Sequence, residues 1–333
     1  MVPLRERSVR VAVLAGAAMV SLAVLVVVAF AFGLVGGDPT IVDQVPDSAD
    51  GVLRIDPAIL DDPASAAVLT AGLAAIGSPG MDPGDAMGTF ESRTGLSLSA
   101  VDDVAAFGRY SAGGGLDVRY AGVIVHANWS GTAIRDALAR TQGVEYETAT
   151  VNGHTVYQPA IEDVARAPTI GVLADGEFVI GTPLSVDDAI AVAEGEADSL
   201  SGPVRSSLSG TGDGLVTGAA AMPREQVEAF DARTGGLTRL GSIRAVAGTY
   251  DTEGDVISIT VRLRASGTEA AHDVTDVARG GLPIIASTID NETVGSTLRA
   301  VTVDREGSTV TLRLETSPDA LRTMARYYGL GGS

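Results

Sequence analysis

The sequence contains no lysine and no cysteine, and both absences restrict its chemistry. Without cysteine, the chain forms no disulfide bond and offers no thiolate to a metal ion. Without lysine, it lacks the S-x-x-K pair of one class of serine hydrolase, and the G-x-S-x-G motif of another class is absent as well. The common hydrolase signatures are therefore missing.

Aromatic residues make up only 4% of the chain, and all 23 basic residues are arginines scattered along it. The net charge is −19, so a nucleic-acid-binding groove would need a basic, aromatic-rich patch that the sequence does not supply. We therefore predict no nucleic-acid partner. The carboxylates are spread rather than clustered, which favours a halophilic adaptation to solvent over a cation-binding surface. In molar salt, charges are screened within about 3 Å.

An uncharged stretch occupies residues 11–35. As a helix rising about 1.5 Å per residue it would measure roughly 37 Å, which exceeds a hydrocarbon core of about 30 Å. The sequence therefore predicts a transmembrane helix in contact with the lipid bilayer. Arg5, Arg7 and Arg10 precede it, and positive residues favour the cytoplasmic side. We expect residues 1–10 in the cytoplasm and an extracytoplasmic body, held at the cell membrane by a single-pass signal anchor.

The alternative for this stretch is a cleaved signal peptide, since Ala29-Phe30-Ala31 resembles a cleavage site. Secretory apolar cores are usually only about 7–15 residues long, so we favour the uncleaved anchor. Asn128 and Asn291 each begin an Asn-x-Ser/Thr sequon. Both are candidate N-glycosylation sites in a host that glycosylates extracytoplasmic proteins.

Helix starts are indicated where an acidic or hydroxyl residue stands directly before a proline. The first residue caps the helix, and proline lacks an N–H that would be unpaired there anyway. The pattern predicts helices that begin near Pro57, Pro83, Pro183 and Pro318. Ser185 with Asp188 forms a competing capping box for the third helix.

Alternating apolar residues predict antiparallel strands over 255–265 and 309–315. The turns Asn152-Gly153 and Asp175-Gly176 predict two further hairpins, because glycine readily adopts the left-handed conformation that such turns need. We also expect β-hairpins over 242–265 and 294–315, and helices over 130–141, 223–232 and 267–280.

The order of strands and helices is similar in the two halves of the chain. We therefore predict an α+β fold with two similar modules, over 51–200 and 213–330, each an antiparallel sheet covered on one face by helices. The first module would open with a strand over 51–55. Residues 36–50 would link it to the membrane helix, and a Ser- and Gly-rich joint over 199–214 would connect the modules.

The segment from Val45 to Asp56 and the stretch from Phe178 to Ile190 resemble uncharacterised prokaryotic envelope proteins of haloarchaeal type. Those proteins have an N-terminal anchor and duplicated sheet-and-helix modules that begin with a V-P-x-D-A-x-x-x stretch. The resemblance implies an envelope location and an internal repeat. It brings no catalytic residues, because none is known in that family.

Histidine is scarce, and His126, His154 and His272 are far apart with no HExxH or HxH spacing. We predict that they are surface or hydrogen-bonded histidines, and that the protein has no metal and no cofactor. The loop 210–214 is rich in glycine, but it leads into a predicted strand, where its N–H groups would not converge on a phosphate.

Two further features of the sequence are candidate sites. Adjacent aspartates point to different faces of a helix and are expected in so acidic a chain, so they do not predict acid–base catalysis. These pairs are 61–62, 102–103 and 187–188. Trp129, the sole tryptophan, lies inside the first sequon and is a candidate stacking surface for a ligand.

No set of residues forms a catalytic or ligand-binding motif, so three functions stay open. We favour a binding or structural role at the cell envelope, with an envelope protein as the partner. A cryptic hydrolase that uses His126 or His154 is the second hypothesis. A small-molecule or lipid carrier with a groove between sheet and helices is the third.

Overall fold

The structure is a computed structural model that describes residues 39–66, 83–110, 116–160, 167–222 and 242–327. Its strands are β1 (Gly51–Ile55), β2 (Val101–Tyr110), β3 (Leu116–Ala127), β4 (Tyr146–Val151), β5 (His154–Pro159), β6 (Thr169–Ala174), β7 (Glu177–Gly181), β8 (Val216–Ala221), β9 (Ile243–Glu253), β10 (Val256–Ala265), β11 (Thr302–Glu306) and β12 (Thr309–Thr316). Its helices are α1 (Pro83–Thr94), α2 (Gly131–Gln142), α3 (Pro183–Ala193), α4 (Gly202–Leu208), α5 (Thr268–Ala286), α6 (Glu292–Ala300) and α7 (Pro318–Tyr327).

The described strands form two antiparallel sheets of six strands each. The N-terminal sheet has the order β2-β3-β7-β6-β5-β4, and the C-terminal sheet has the order β1-β8-β9-β10-β12-β11. The two sheets meet edge to edge where β1 lies beside β2, and the Asp50 N–H donates to the Gly108 carbonyl at 2.9 Å. The α+β class with antiparallel sheets is what the alternating sequence pattern predicts.

Strand β1 does not belong to the sheet that the sequence analysis gave it. It pairs with β8, with Gly51 opposite Ala220 and Ile55 opposite Val216, so the first strand of the predicted first module completes the C-terminal sheet. Leu53 is buried in the same core as β8 to β10. Gly218 favours this close pairing, because a Cβ there would lie 3.1 Å from the Val52 carbonyl oxygen.

The segment predicted as a linker over 36–50 is buried over much of its described part. It forms a 3-10 helix over Pro39–Gln44, and the side chains of Ile41 and Val45 are fully buried. The Leu200 N–H donates to the Val45 carbonyl at 2.7 Å. This segment is therefore part of the core beside β1.

Helices cover both faces of the N-terminal sheet, whereas one covered face was predicted. Helix α3 packs on β3, β6 and β7, and α2 lies on the opposite face against β6. The alternation in β7 explains this arrangement, since Phe178 faces the α2 side and Val179 faces the core on the α3 side. Helices α5, α6 and α7 bury their apolar residues against one face of the C-terminal sheet.

Most predicted helix starts are confirmed. Helices α1, α3 and α7 begin at the expected prolines, whereas Pro57 opens only a 3-10 turn to Leu60. At α3 the Thr182 hydroxyl accepts from the Ser185 N–H, and Ser185 is fully buried inside the helix, so the competing capping box is wrong. Both predicted glycine turns form hairpins: β4–β5 turns at Asn152 and Gly153, and β6–β7 turns at Gly176.

Three boundaries in the second half need correction. The residues that open the predicted hairpin over 294–315 form helix α6, capped by Asn291, and only β11 and β12 are strands. The predicted joint over 199–214 contains α4, which packs on β8 and β9. Helix α5 continues past Gly280 to Ala286 through Pro283, because Leu282, Ile285 and Ala286 are buried and packing offsets the lost hydrogen bond. The helix predicted over 223–232 lies outside the described residues.

The transmembrane part of the predicted fold is corrected. Within the described ranges, no helix combines the length and the apolar character needed to span a bilayer. The residues 11–35, for which such a helix was predicted, lie outside the described chain. For the described residues, the architecture is therefore α+β with two antiparallel sheets.

Candidate functional site

A polar cluster joins the segment before β1 to β3 and α3. The Ser48 Oγ atom lies 2.5 Å from the Tyr120 hydroxyl and donates to the Asp188 Oδ2 atom at 2.7 Å. The Tyr120 hydroxyl donates to the same carboxylate oxygen at 2.9 Å. The Arg109 guanidinium stacks 3.8 Å over the Tyr120 ring and donates to the Ser48 carbonyl at 2.6 Å. We call Ser48, Arg109, Tyr120 and Asp188 the polar clasp.

The polar clasp is arranged to hold segments together rather than to move protons. Burial raises the pKa of Tyr120 to about 12, and the hydrogen bond to Asp188 adds to the rise. The phenol is therefore a proton donor at neutral pH and cannot serve as a base for Ser48. Its partner carboxylate accepts from two hydroxyl groups. These contacts join the segment before β1 to β3 and α3.

His126 bridges the same buried segment to β7. Its Nε2 atom lies 3.0 Å from the Gln44 Oε1 atom, and the Gln44 amide donates to the Glu177 carboxylate at 2.7 Å. These three side chains connect β3, the 3-10 helix and β7. No hydroxyl nucleophile lies within this chain of hydrogen bonds, so the geometry gives no support to the hypothesis that His126 serves in a hydrolase site.

His154 ties the β4–β5 hairpin to the end of α3. Its Nδ1 atom lies 2.9 Å from the Val172 carbonyl, and its Nε2 atom lies 2.6 Å from the Glu194 carboxylate. Burial opposes protonation, but the bonds to Glu194 and Val172 outweigh it and raise the pKa of His154. Beside it, the Asn152 amide donates to the Glu196 carboxylate at 2.9 Å.

The structure does not bring the three histidines together. His272 is exposed on α5 and faces Asp276 one turn later. Within the described ranges, no group of three or more histidine and acidic side chains could hold a metal ion.

The remaining sequence candidates lie in separate places. Asn128 is exposed just after β3, and Asn291 caps α6 through the Val294 N–H. Trp129 is partly buried, and its indole N–H donates to the Ser97 carbonyl. The loop 210–214 leads into β8, as expected, and the Gly210 carbonyl accepts from Arg262.

One buried ion pair was missed by the sequence analysis. Asp103, treated there as one of two adjacent carboxylates, is fully buried and lies 3.8 Å from the Arg54 Nε atom. Arg54 is on β1 and Asp103 is on β2, so the pair lies where the two sheets meet. Its neighbour Asp102 is exposed. The register of β2 against β3 shifts between Val101 and Asp103, so simple alternation along the sequence does not identify Asp103 as the buried residue of the two.

A different kind of candidate site is the outer edge of the N-terminal sheet. Among the described strands, β4 pairs only with β5, through six consecutive residue pairs without a bulge. The turn has positive φ at both Asn152 and Gly153, as in a two-residue type I′ hairpin, so Val151 and His154 exchange hydrogen bonds. The Ala160 N–H donates to the Glu145 carbonyl at 2.8 Å, which agrees with this register.

The register decides which backbone groups of β4 point away from the sheet. Hydrogen-bonded and non-bonded residues alternate along an antiparallel strand, so the backbone N–H and C=O groups of residues 145, 147, 149 and 151 point toward β5. Tyr146, Thr148 and Thr150 direct their N–H and C=O groups outward, and no described strand pairs with them. Pro159 lies opposite Tyr146, at a position where its missing N–H costs no hydrogen bond to β4. We call these three outward residues the open edge.

The other sheet edges are protected. Strands β1 and β2 lie against each other. Strand β11 has five residues, of which Asp304, Arg305 and Glu306 are charged, and Asp304 is paired with Arg313 on β12. Charged, short edge strands discourage further pairing. Strand β4 has one charged residue, Glu147, in six, and no proline. Among the described strands, it is the edge best suited to take another strand.

Comparison with known proteins identifies no family. No protein-family model matches the chain, and no curated protein matches it. Crystal forms I, III and IV of TP0453 are similar in structure, with TM-scores of 0.46, 0.47 and 0.45 and 11% sequence identity. The matches cover 89%, 88% and 85% of this chain and 98%, 99% and 94% of the TP0453 chain. Similarity at this level supports no conclusion about this protein.

Proposed function

We propose that this protein binds a partner protein by taking an extended segment of the partner onto the open edge of β4. The observation that carries the proposal is the regular, nearly uncharged edge strand with three residues whose backbone groups point outward. Strand addition uses such main-chain groups for affinity and the alternate side chains for specificity. A binding role is also the function that the sequence favours.

The rest of the fold supports the strand as a rigid platform. Tyr146 donates through its hydroxyl to the Pro168 carbonyl at 3.0 Å. At the other end of β4, the Asn152 side chain is fixed to Glu196 and His154 is fixed to Glu194. A strand held at both ends offers its outward groups in one register, which lowers the ordering cost of adding a partner strand.

The test uses a proline that removes one outward donor. Peptides of about ten residues would be selected from a display library against the purified protein. Thr148→Pro removes the outward N–H and leaves the backbone hydrogen bonds between β4 and β5 in place. We therefore expect the affinity for the selected peptides to fall by at least about tenfold. Isothermal titration calorimetry measures the change.

The matched control is Arg305→Pro on the edge strand β11. Its N–H also points outward, because the Glu306–Thr309 pair closes the β11–β12 hairpin. This variant should bind the peptides like the parent protein. Selected peptides that bind Thr148→Pro as well as the parent would refute strand addition at β4.

The hydrolase and carrier hypotheses remain predictions, and so do the extracytoplasmic location and the envelope partner. No described contact favours either alternative over strand addition.

A further inference from the structure

The charges around the open edge indicate which kind of segment it takes. Glu145 and Glu147 are both exposed, and their side chains lie on the same side of the strand, because residues two apart share a face. Neither carboxylate has an ion-pair partner among the described residues. An added strand would place its own side chains directly beside them.

The end of α3 adds negative charge on the same side of the sheet. His154, paired with Val151 on β4, shares a face with Glu147, and this face carries the bond to Glu194. Glu194 caps the C-terminus of α3, where the helix dipole is negative and where the last turn contains no basic residue. Glu196 lies exposed beside it and accepts from Asn152.

The positive groups that the structure describes nearby are already engaged. His154 is paired with Glu194. On the opposite face, Arg135 is paired with Asp136, and Arg140 donates to the Thr94 carbonyl. The local charge on the α3 side of β4 is therefore negative and incompletely compensated by described groups.

On this basis, and resting on the proposed function, we propose that the segment added to β4 is a cationic strand of another protein, with arginine or lysine at alternate positions. Two basic side chains, spaced two residues apart, would lie beside Glu145 and Glu147. The same charges oppose a second copy of this chain. Pairing of β4 with β4 would bring these carboxylates close to their equivalents in a chain of net charge −19.

The experiment compares three synthetic peptides of about ten residues that alternate threonine with arginine, glutamine or glutamate. At low salt, the Thr–Arg peptide should bind about tenfold more tightly than the Thr–Gln peptide, because two of its arginines would form exposed ion pairs with Glu145 and Glu147. The Thr–Glu peptide should bind most weakly. In molar salt, the Thr–Arg and Thr–Gln affinities should converge, because the charges are screened.

Two double variants locate the effect. Glu145→Gln with Glu147→Gln should remove most of the advantage of the Thr–Arg peptide and leave Thr–Gln binding unchanged. Glu306→Gln with Glu315→Gln removes the same charge from exposed positions on β11 and β12, and the advantage should persist. Loss of the advantage in both double variants would show attraction to the whole acidic surface and would overturn the cationic-strand proposal.

The two levels of the proposal fail in different ways. If the Thr–Gln and Thr–Arg peptides bind equally and Thr148→Pro abolishes both, strand addition stands and the cationic preference is wrong. If no peptide binds in a Thr148-dependent way, the proposed function itself is wrong. Dimerisation through β4 in sedimentation, lost in Thr148→Pro, would identify a second copy as the occupant and would also overturn the cationic proposal.

Discussion

At the scale of single residues, His154 is the clearest titrating contact of the binding region. It joins the β4–β5 hairpin to Glu194, and its side chain is only 13% exposed. The bonds that raise its pKa are made by the protonated ring, which donates from both nitrogens. The hairpin is therefore held most firmly when the histidine is charged.

The pH dependence of this contact has a definite sign. Because the folded-state pKa lies above the ordinary histidine pKa of 6.5, the contribution is complete below pH 6.5 and is lost as pH rises through the folded-state pKa. We expect the free energy of unfolding of the parent protein to fall over this pH range and that of His154→Gln not to show this fall. The difference between the two proteins should be below about 1 kcal/mol, because Glu194 is 43% exposed. Urea unfolding over a pH series measures it. A parent and variant with parallel pH profiles would contradict this assignment.

At this scale, contacts between residues close in the sequence are predictable, and contacts between residues far apart in the sequence are not. Asn152-Gly153 determines its own turn, and Asp56 caps the turn that follows it. The pairing of Arg54 with Asp103 depends on two strands meeting, which nothing near either residue encodes. Asn291 is a sequon residue and also a helix cap, and the strand predicted from residue 294 is wrong because this cap begins α6.

At the scale of elements, the contact between α3 and the N-terminal sheet depends on glycine. Gly181 and Gly122 lie opposite each other on β7 and β3. A Cβ at Gly181 would lie 2.5 Å from the Ala121 carbonyl oxygen and 2.6 Å from the Ser185 Oγ atom. The backbone cannot easily move there, because the Ser185 hydroxyl itself donates to the Ala121 carbonyl.

We therefore expect Gly181→Ala to destabilise the protein by about 1–3 kcal/mol, the usual cost of overpacking. The matched control is Gly280→Ala in the interior of α5, where no described atom beyond the adjoining residues and the helix's own backbone lies within 4 Å of the added Cβ. That variant should stabilise the protein by about 0.5–1 kcal/mol, since alanine favours the helix. Thermal unfolding distinguishes them. Equal effects of the two variants would contradict the close approach of α3 to β3 and β7.

The elements themselves were largely predictable, but their neighbours were not. Alternation predicted β10 and β12, and the prolines predicted the starts of α1, α3 and α7. The assignment of β1 to the C-terminal sheet depends on a partner, β8, more than 150 residues away in the sequence. Local patterns carry no information on such pairing, because it is decided by which surfaces can be buried together.

At the scale of the whole molecule, the function depends on how twelve described strands are ordered into two sheets. Two strand edges protect each other where the sheets meet, and a third is short and charged. The fourth, β4, is regular and nearly uncharged. This outcome could not be predicted from the sequence, since the β4 residues alone do not show whether the strand is central or at an edge. The polar clasp and the buried segment over 39–50 connect the parts that fix this order.

Amide hydrogen exchange along β4 in the free protein, resolved by residue with NMR, tests the open edge most directly. Our account predicts an alternation: the N–H groups of Thr148 and Thr150 exchange rapidly, while those of Ala149 and Val151, bonded to β5, are protected. Uniform protection of all four amides would show that the edge is already covered, and it would contradict the account.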